Sequence, residues 1–339
     1  MCMDFLFFDW FGKPAWMWLG FVAIVALLLV LDLGVLHRKQ TEIGVRESLV
    51  LSAGYITLGV AFGGLVWWQL GADAGIQYLT GFVVEKSLAL DNVFVIALIF
   101  GFFAVPRKYQ HRVLFWGILG VIILRAMMIG AGAALVAQYS WLLYVFAAFL
   151  VATGIKMLAI GDKETDLSKN PLLAFIRRRF PVTDQLHGER FTVQLPHPKS
   201  GRVVRHLTPL FLALVMIEIA DVIFAVDSVP AIFAITTDPY LIYTSNIFAI
   251  LGLRALYFAL AAVLHRFAYL KQALAVLLIF IGSKVFIAEL LGMEKFPAAW
   301  SLGVTVAILG TGIVWSLWRT RKPLTLTKER PDASVAMSK

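Results

Sequence analysis

The strongest constraint on this chain is a series of apolar stretches, each long enough to cross a bilayer. A helix spans the hydrocarbon core with about 20 apolar residues. Nine stretches reach that length, at roughly 15–36, 46–68, 76–103, 112–137, 141–160, 208–235, 244–264, 272–291 and 299–318. Only 15% of the residues are charged, against about 25% in a soluble domain. The fold class that follows is all-α, a polytopic membrane protein with about nine transmembrane helices. Trp16, Trp18, Trp67, Trp68, Trp141, Trp300, Trp315 and Trp318 lie near span ends, as an aromatic belt would.

The basic residues give an orientation. Alternate connections hold Arg38, Lys39 and Arg46, then Arg107, Lys108 and Arg112, then nine Lys and Arg in 161–207, then Arg266 and Lys271, then six in the tail from Arg319. The other side holds only Lys13 and Lys295, a split of 23 against 2. The rich side is therefore expected to be cytoplasmic. Residues 1–14 are then an extracytoplasmic N-terminus, 15–160 spans 1–5, 161–207 a cytoplasmic loop, 208–318 spans 6–9 and 319–339 a disordered cytoplasmic tail. The net charge of +9 becomes topology information and attraction to anionic lipid at the cytoplasmic face. Nucleic acid is not expected as a partner.

Other classes drop out. The lone Cys2 allows no disulfide within the chain. The acidic N-terminal residues lack the basic region of a cleaved signal peptide and are expected to remain. No G-x-x-x-x-G-K-[ST] run is present, which argues against ATP-driven pumping. The chain is not expected to be an enzyme, and no cofactor is expected. In the 161–207 loop, alternating Phe191, Val193 and Leu195, a Pro196–Gly201 turn, then Val203 and Val204 predict a small β-hairpin. His187, His197 and His206 match no zinc spacing.

Charges inside the spans are where function is sought, because they are costly there. The acids are Asp32, Glu85, Asp91, Glu218, Asp221, Asp227 and Glu289, and the bases are Lys86, Arg125, Lys156, Arg254 and Lys284. Asp32 and Glu289 lie near span ends and can snorkel or cap. The others repeat. Glu85 precedes Asp91-Asn92-Val93 by six residues, and Asp221 precedes Asp227-Ser228-Val229 by six. One span later come Leu124-Arg125-Ala126 and Leu253-Arg254-Ala255, and one span later again Gly154-Ile155-Lys156 and Gly282-Ser283-Lys284. Spans 3–5 thus read as a repeat of spans 6–8, and the odd number of spans per unit inverts the second copy. Inverted repeats with a midplane site between them are a transporter plan, and symmetry places Asp91 and Asp227 near a shared centre.

Pro230, inside span 6, should free the carbonyl of Val226 to act as a ligand. The candidate metal ligands are Glu85, Asp91, Asn92, Glu218, Asp221, Asp227 and Ser228, with Arg125, Lys156, Arg254 and Lys284 as counter-ions that orient them. Lys86 is expected to pair with a neighbouring acid. Oxygen-only ligands suit Mg²⁺, Ca²⁺ or Mn²⁺ rather than Zn²⁺ or Cu⁺. Carboxylates taken out of water hold protons more readily, which gives a physical route to metal/proton antiport. Buried acid–base pairs can also serve only to hold a bundle together. They are poor net stabilisers, so seven acids kept for structure alone are hard to account for. Gly59 and Gly63, four apart in span 2, read as close helix packing.

Three motifs carry a resemblance: Leu31-Asp32-Leu33-Gly34-Val35, Glu85-x5-Asp91-Asn92, and EIADVIFAVDSVPAIFAIT at 218–236. With them the chain resembles the TerC family of bacterial membrane proteins from about residue 15 to residue 320. That resemblance implies a bacterial inner-membrane protein that exports Mn²⁺, with the acids of the two motif helices as ligands. The family name itself comes from tellurite resistance. Two alternatives stay open: a non-transporting membrane partner that scaffolds proteins or delivers metal, and an oxyanion handler in which Arg125 and Arg254 receive the anion. The sequence leaves the oligomeric state open.

Overall fold

In lipid a backbone can satisfy its own N–H and C=O groups only by coiling on itself or closing a barrel, so each apolar run becomes a helix. The computed structural model describes residues 7–34, 45–160, 171–196, 203–260, 270–293 and 296–320. Spans 1–5 form α1 (Ala15–Gly34), α2 (Val45–Leu70), α3 (Ala72–Phe102), α4 (Arg107–Gln138) and α5 (Leu142–Ile160). After the short α6 (Pro171–Arg179) come α7 (Pro209–Phe233), α8 (Pro239–Leu251), α9 (Leu253–Leu260), α10 (Leu270–Leu290) and α11 (Ala298–Arg319). Among the described residues, seven helical stretches are long and apolar enough to cross a membrane, with α8 and α9 counted as one. The apolar part of α1, Ala15–Leu31, is shorter. α3 has the length but carries Asp73, Glu85, Lys86 and Asp91. Large apolar side chains such as Leu27, Trp68, Met127, Ile155, Ile223 and Val314 are exposed on these helices. In water such a surface would drive association, and in a membrane it meets lipid.

α3 is the pivot. It packs against α2, α7, α8 and α11, while α4 packs on α7 and α5 packs on α10. Exchanging α3 with α7, α4 with α8 and α5 with α10 carries the α3–α8 contact onto the α7–α4 contact. The glycines of the proposed repeat fit the same exchange. A Cβ at Gly154 would stand 2.6 Å from the Ala275 carbonyl and 2.6 Å from Ile279; a Cβ at Gly282 would stand 2.5 Å from the Ala147 carbonyl and 2.8 Å from Val151. Each glycine meets residues seven and three positions before the other, which is the reciprocity a two-fold axis between α5 and α10 demands.

Elsewhere the core is aromatic. Phe21, Phe62, Tyr78, Phe82 and Phe248 join α1, α2, α3 and α8, and Phe62 and Phe248 lie 4.6 Å apart between ring centroids. Gly59 and Gly63 let α2 approach: a Cβ at Gly63 would stand 2.7 Å from Leu79. Tyr78 donates to the Gly59 carbonyl (3.1 Å).

Three local features differ from the sequence expectation. Span 7, predicted over 244–264, begins five residues earlier. Asp238 caps it by accepting from the amides of Tyr240 (3.0 Å) and Leu241 (3.5 Å), with Pro239 in the first turn, a strong start signal. The span then breaks at Gly252. There the Lys86 ammonium donates to the Ala249 carbonyl (2.9 Å), and a Cβ at Gly252 would sit 2.8 Å from it. A side chain inserted into the ladder is a recognised cause of such a break. Lys86 thus uses a backbone carbonyl where an acid was expected. α7, by contrast, continues through Pro230 and ends at Phe233, so the chain is not unwound at the proline.

In the 161–207 loop, β3 (Thr192–Pro196) pairs antiparallel with β4 (Val203–Leu207) in the register Thr192↔Leu207 and Pro196↔Val203. The predicted turn at 197–201 and the tail from 321 lie outside the described residues, as does the Asp32 side chain. α6 went unpredicted. Its Leu173 and Ile176 pack on Leu212 of α7 and on Phe103, while Arg177, Arg178 and Arg179 end it at the surface. A two-residue hairpin, β1 (Asp9–Trp10) with β2 (Lys13–Pro14), precedes α1. It is tied down by an ion pair from Lys13 to Asp238 (2.9 Å).

Candidate functional site

Arg125 sits near the middle of α4, 1% exposed. A buried guanidinium needs acceptors for its five N–H groups, and three neighbouring helices supply them. Its Nε and one terminal nitrogen fork onto Asp221 of α7, both at 3.2 Å. Its other terminal nitrogen donates to Glu85 of α3 (2.5 Å), Ser228 of α7 (2.8 Å) and Asn246 of α8 (3.4 Å). Asn92 of α3 completes the ring by donating to Asp221 (3.2 Å). Glu85, Asn92, Asp221, Ser228 and Asn246 are all buried.

Helix geometry explains the grouping. Glu85 and Asn92 are seven residues apart, as are Asp221 and Ser228, two turns that return a side chain to the same face. The repeat seen in the sequence is therefore a repeat of faces: the first and third polar members of each motif gather around Arg125, three by bonds to it and Asn92 by its bond to Asp221.

Glu218 belongs to the same neighbourhood. It lies three residues before Asp221 on α7, half-buried, against Gly117 and Gly120 of α4. A Cβ at Gly120 would overlap the Glu218 carboxyl group, so glycine is what admits it. Two acceptor oxygens flanking Asp221, Asn92 Oδ1 and Glu218 Oε2, are buried with no hydrogen-bond partner among the described residues; so is the donor Asn246 Nδ2. Buried polar atoms are rarely left so.

The remaining predicted residues lie elsewhere. Asp227 is half-buried and turned toward α5, where Thr153 donates to it at 3.4 Å and where the charge of Lys156 acts on it. Lys156 is exposed. Arg254 is buried on α9 and is not among the described partners of Glu85, Asp221, Ser228 or Asn246. Lys284, also buried, donates to Ser301 of α11 (2.9 Å). Glu289 is exposed and accepts from the Tyr144 hydroxyl (2.6 Å). Asp91 lies in α3, with its side chain outside those described. Among the described residues, no three His, Cys, Asp or Glu side chains are grouped closely enough to hold a metal ion. The Arg125 guanidinium occupies the centre between Glu85 and Asp221.

Comparison with known proteins decides the family. The integral membrane protein TerC family matches residues 70–324. The chain belongs to the TerC family. Relatives are similar over almost their whole lengths. A Myxococcus xanthus protein described as an uncharacterized membrane protein is 44% identical over 94% of this chain and 97% of its own. A Rickettsia bellii membrane protein is 48% identical over 89% of this chain and 97% of its own. A Salmonella typhi protein named Alx, provisionally described as a membrane-bound redox modulator, is 43% identical over 91% of this chain and 95% of its own. No solved structure matches.

For this TerC protein, sequence reasoning missed Asn246 and Gly120 at the Arg125 centre and Thr153 beside Asp227. Asn246 had a signal, being an amide that follows the hydroxyls of Thr244 and Ser245 inside span 7. Gly120 and Thr153 had none, because only the packing partner reveals them.

Proposed function

We propose that this TerC protein is a secondary transporter that exports a divalent cation, Mn²⁺ by family resemblance, through the buried polar centre between α3, α4 and α7. The observation that carries this reading is the pair of orphaned acceptor oxygens, Asn92 Oδ1 and Glu218 Oε2, beside Asp221. Acceptors without donors, next to carboxylates, fit a cation. Charge points the same way. Ionised Glu85, Asp221 and Glu218 contribute three negative charges and Arg125 one positive, leaving two, which one divalent ion neutralises. Arg125 then acts as the resident counter-ion. A cation that takes Glu85 and Asp221 must displace it, and protons on the same carboxylates compete with the metal. Export from the cytoplasm and the plasma membrane as location rest on the family resemblance, and the charge asymmetry of the loops supports the orientation that goes with them.

The oxyanion reading is weaker on one observation. The guanidinium that would receive an anion already serves Glu85, Asp221, Ser228 and Asn246. Redox modulation, the description of the Alx relatives, cannot run here through an intrachain dithiol, since Cys2 is the lone cysteine.

Purified protein in liposomes with an imposed pH gradient tests the proposal. Wild type should move Mn²⁺ and acidify or alkalinise the lumen in step. Glu85→Gln and Asp221→Asn should each lower the flux by about a hundredfold, the loss expected for a charged group that binds the passing ion. A scaffold or delivery factor would give no flux in any arm, and unimpaired variants would place the pathway elsewhere.

A further inference from the structure

On the side poor in Lys and Arg, the ends of α3, α7, α10 and α11 enclose a cavity of about 460 Å³. Its chemistry is layered. Asp73 and Glu289 line it from exposed positions, and Glu289 is already engaged by Tyr144 (2.6 Å). Deeper lining residues include Lys284, Ser301, Thr236 and Thr80, all less than a tenth exposed.

The deep groups differ in what they have left to give. An ammonium carries three N–H donors, and among the described residues Lys284 spends one, on Ser301 (2.9 Å). That bond uses a lone pair of Ser301 and leaves the Ser301 proton free. Thr236 likewise accepts, from the Asp238 amide (3.3 Å), and keeps its proton. Thr80 does the opposite. It donates to the Ile76 carbonyl (2.7 Å) and drops out. The floor therefore holds a buried positive charge bonded to Ser301, with a second unspent hydroxyl proton on Thr236 in the same lining and no carboxylate bonded to the ammonium among the described residues. A charge buried without a partner of opposite sign is costly, and the cavity gives room for that partner to be a ligand.

We propose that this floor is a binding site for a small inorganic anion, held by the Lys284 ammonium and the hydroxyls of Ser301 and Thr236. The site is separate from the Arg125 centre and does not depend on the transport reading. The exposed acids at its mouth favour a small anion that stays on the floor over a bulky organic anion that would reach them. Such an anion offsets the Lys284 charge on the extracytoplasmic side of the bundle.

The test uses the full-length protein in detergent, followed by thermal unfolding in sodium chloride, sulfate or phosphate at matched ionic strength. Choline salts repeat each point. At least one anion should stabilise saturably, whichever cation accompanies it. Lys284→Met should weaken that anion by about tenfold or more, and Ser301→Ala and Thr236→Val by about threefold each, as losses of a charged and of two neutral hydrogen bonds. Lys284→Arg should keep most of the effect. Should the Met variant not be recovered folded, the two hydroxyl variants decide alone. Saturable stabilisation that follows the cation, or that survives unchanged in Lys284→Met or in both hydroxyl variants, overturns the proposal, as does its absence with all three anions.

Discussion

On the side of α7 that faces α3 and α4, Asp221 is 6% exposed and bound by a fork from Arg125 and by Asn92. On the side that faces α5, Asp227 is half-buried and held by one 3.4 Å bond from Thr153. Both are aspartates of one helix, six residues apart, and both were expected to ligate the same ion. The difference shows that a six-residue spacing splits a motif between two faces, because six residues is well short of two helical turns. The seven-residue partners, Ser228 for Asp221 and Asn92 for Glu85, stay together. One face is a closed network whose removal should damage the fold. The other is a lightly held acid whose removal should not.

The largest expected effect tests the closed face. Arg125→Met leaves Glu85 and Asp221 buried and facing each other. Removing one partner from a buried ion pair costs about 3–5 kcal/mol, much of the stability of a typical domain. Folded protein should largely vanish from a size-exclusion profile in detergent. Lys156→Met, the cation on the α5 side, is exposed and should leave the profile unchanged. Equal losses from both would dissolve the distinction between the faces.

That distinction also marks how far the sequence could be read. The apolar helices and the antiparallel hairpin followed from apolar runs and from alternation, since each is a local pattern with its own signal; of the nine expected spans, seven are long and apolar enough to cross a membrane among the described residues. The repeat matched Glu85 with Asp221, but the symmetry argument put Asp91 and Asp227 near the shared centre, whereas Glu85 and Asp221 are the pair that meets at Arg125 and Asp227 faces Thr153. That the pair would close on Arg125 was not legible. Arg254 holds the equivalent position in the second unit, and nothing in the spacing says which arginine reaches the centre. The break at Gly252 was hidden as well. It depends on Lys86, which lies far away in the sequence and inserts its ammonium at the Ala249 carbonyl. Gly154 and Gly282 were noticed as flanks of lysines, yet their role is to let α5 and α10 touch backbone to side chain.

A middle-sized effect probes the edge of the closed face. Gly120→Ala drives a methyl group into the Glu218 carboxyl, and overpacking of this kind costs about 1–3 kcal/mol. Glu218→Ala alone removes the obstacle. In the double variant the cost of the methyl should be relieved, so the two changes should be non-additive in a thermal-unfolding cycle. Additive losses would mean that Glu218 moves aside freely and that Gly120 does not hold it beside Asp221.

The smallest expected effect on stability sharpens the comparison most. Asp227→Asn keeps the shape of the side chain and can still accept from Thr153. A single long hydrogen bond contributes about 1 kcal/mol or less, and the position is partly open, so thermal unfolding should move by little. Transport is where the two readings of Asp227 part. If this acid touches the passing cation, a variant that folds like wild type should lose most Mn²⁺ flux in liposomes, because the amide cannot supply the charge. If Asp227 only tethers α7 to α5, flux should stay within a few-fold of wild type, and Thr153→Val should match it. Preserved flux with preserved stability would confine the ion-binding function of α7 to the face that carries Glu218, Asp221 and Ser228, and the acidic motif would then have one functional aspartate on this helix instead of two.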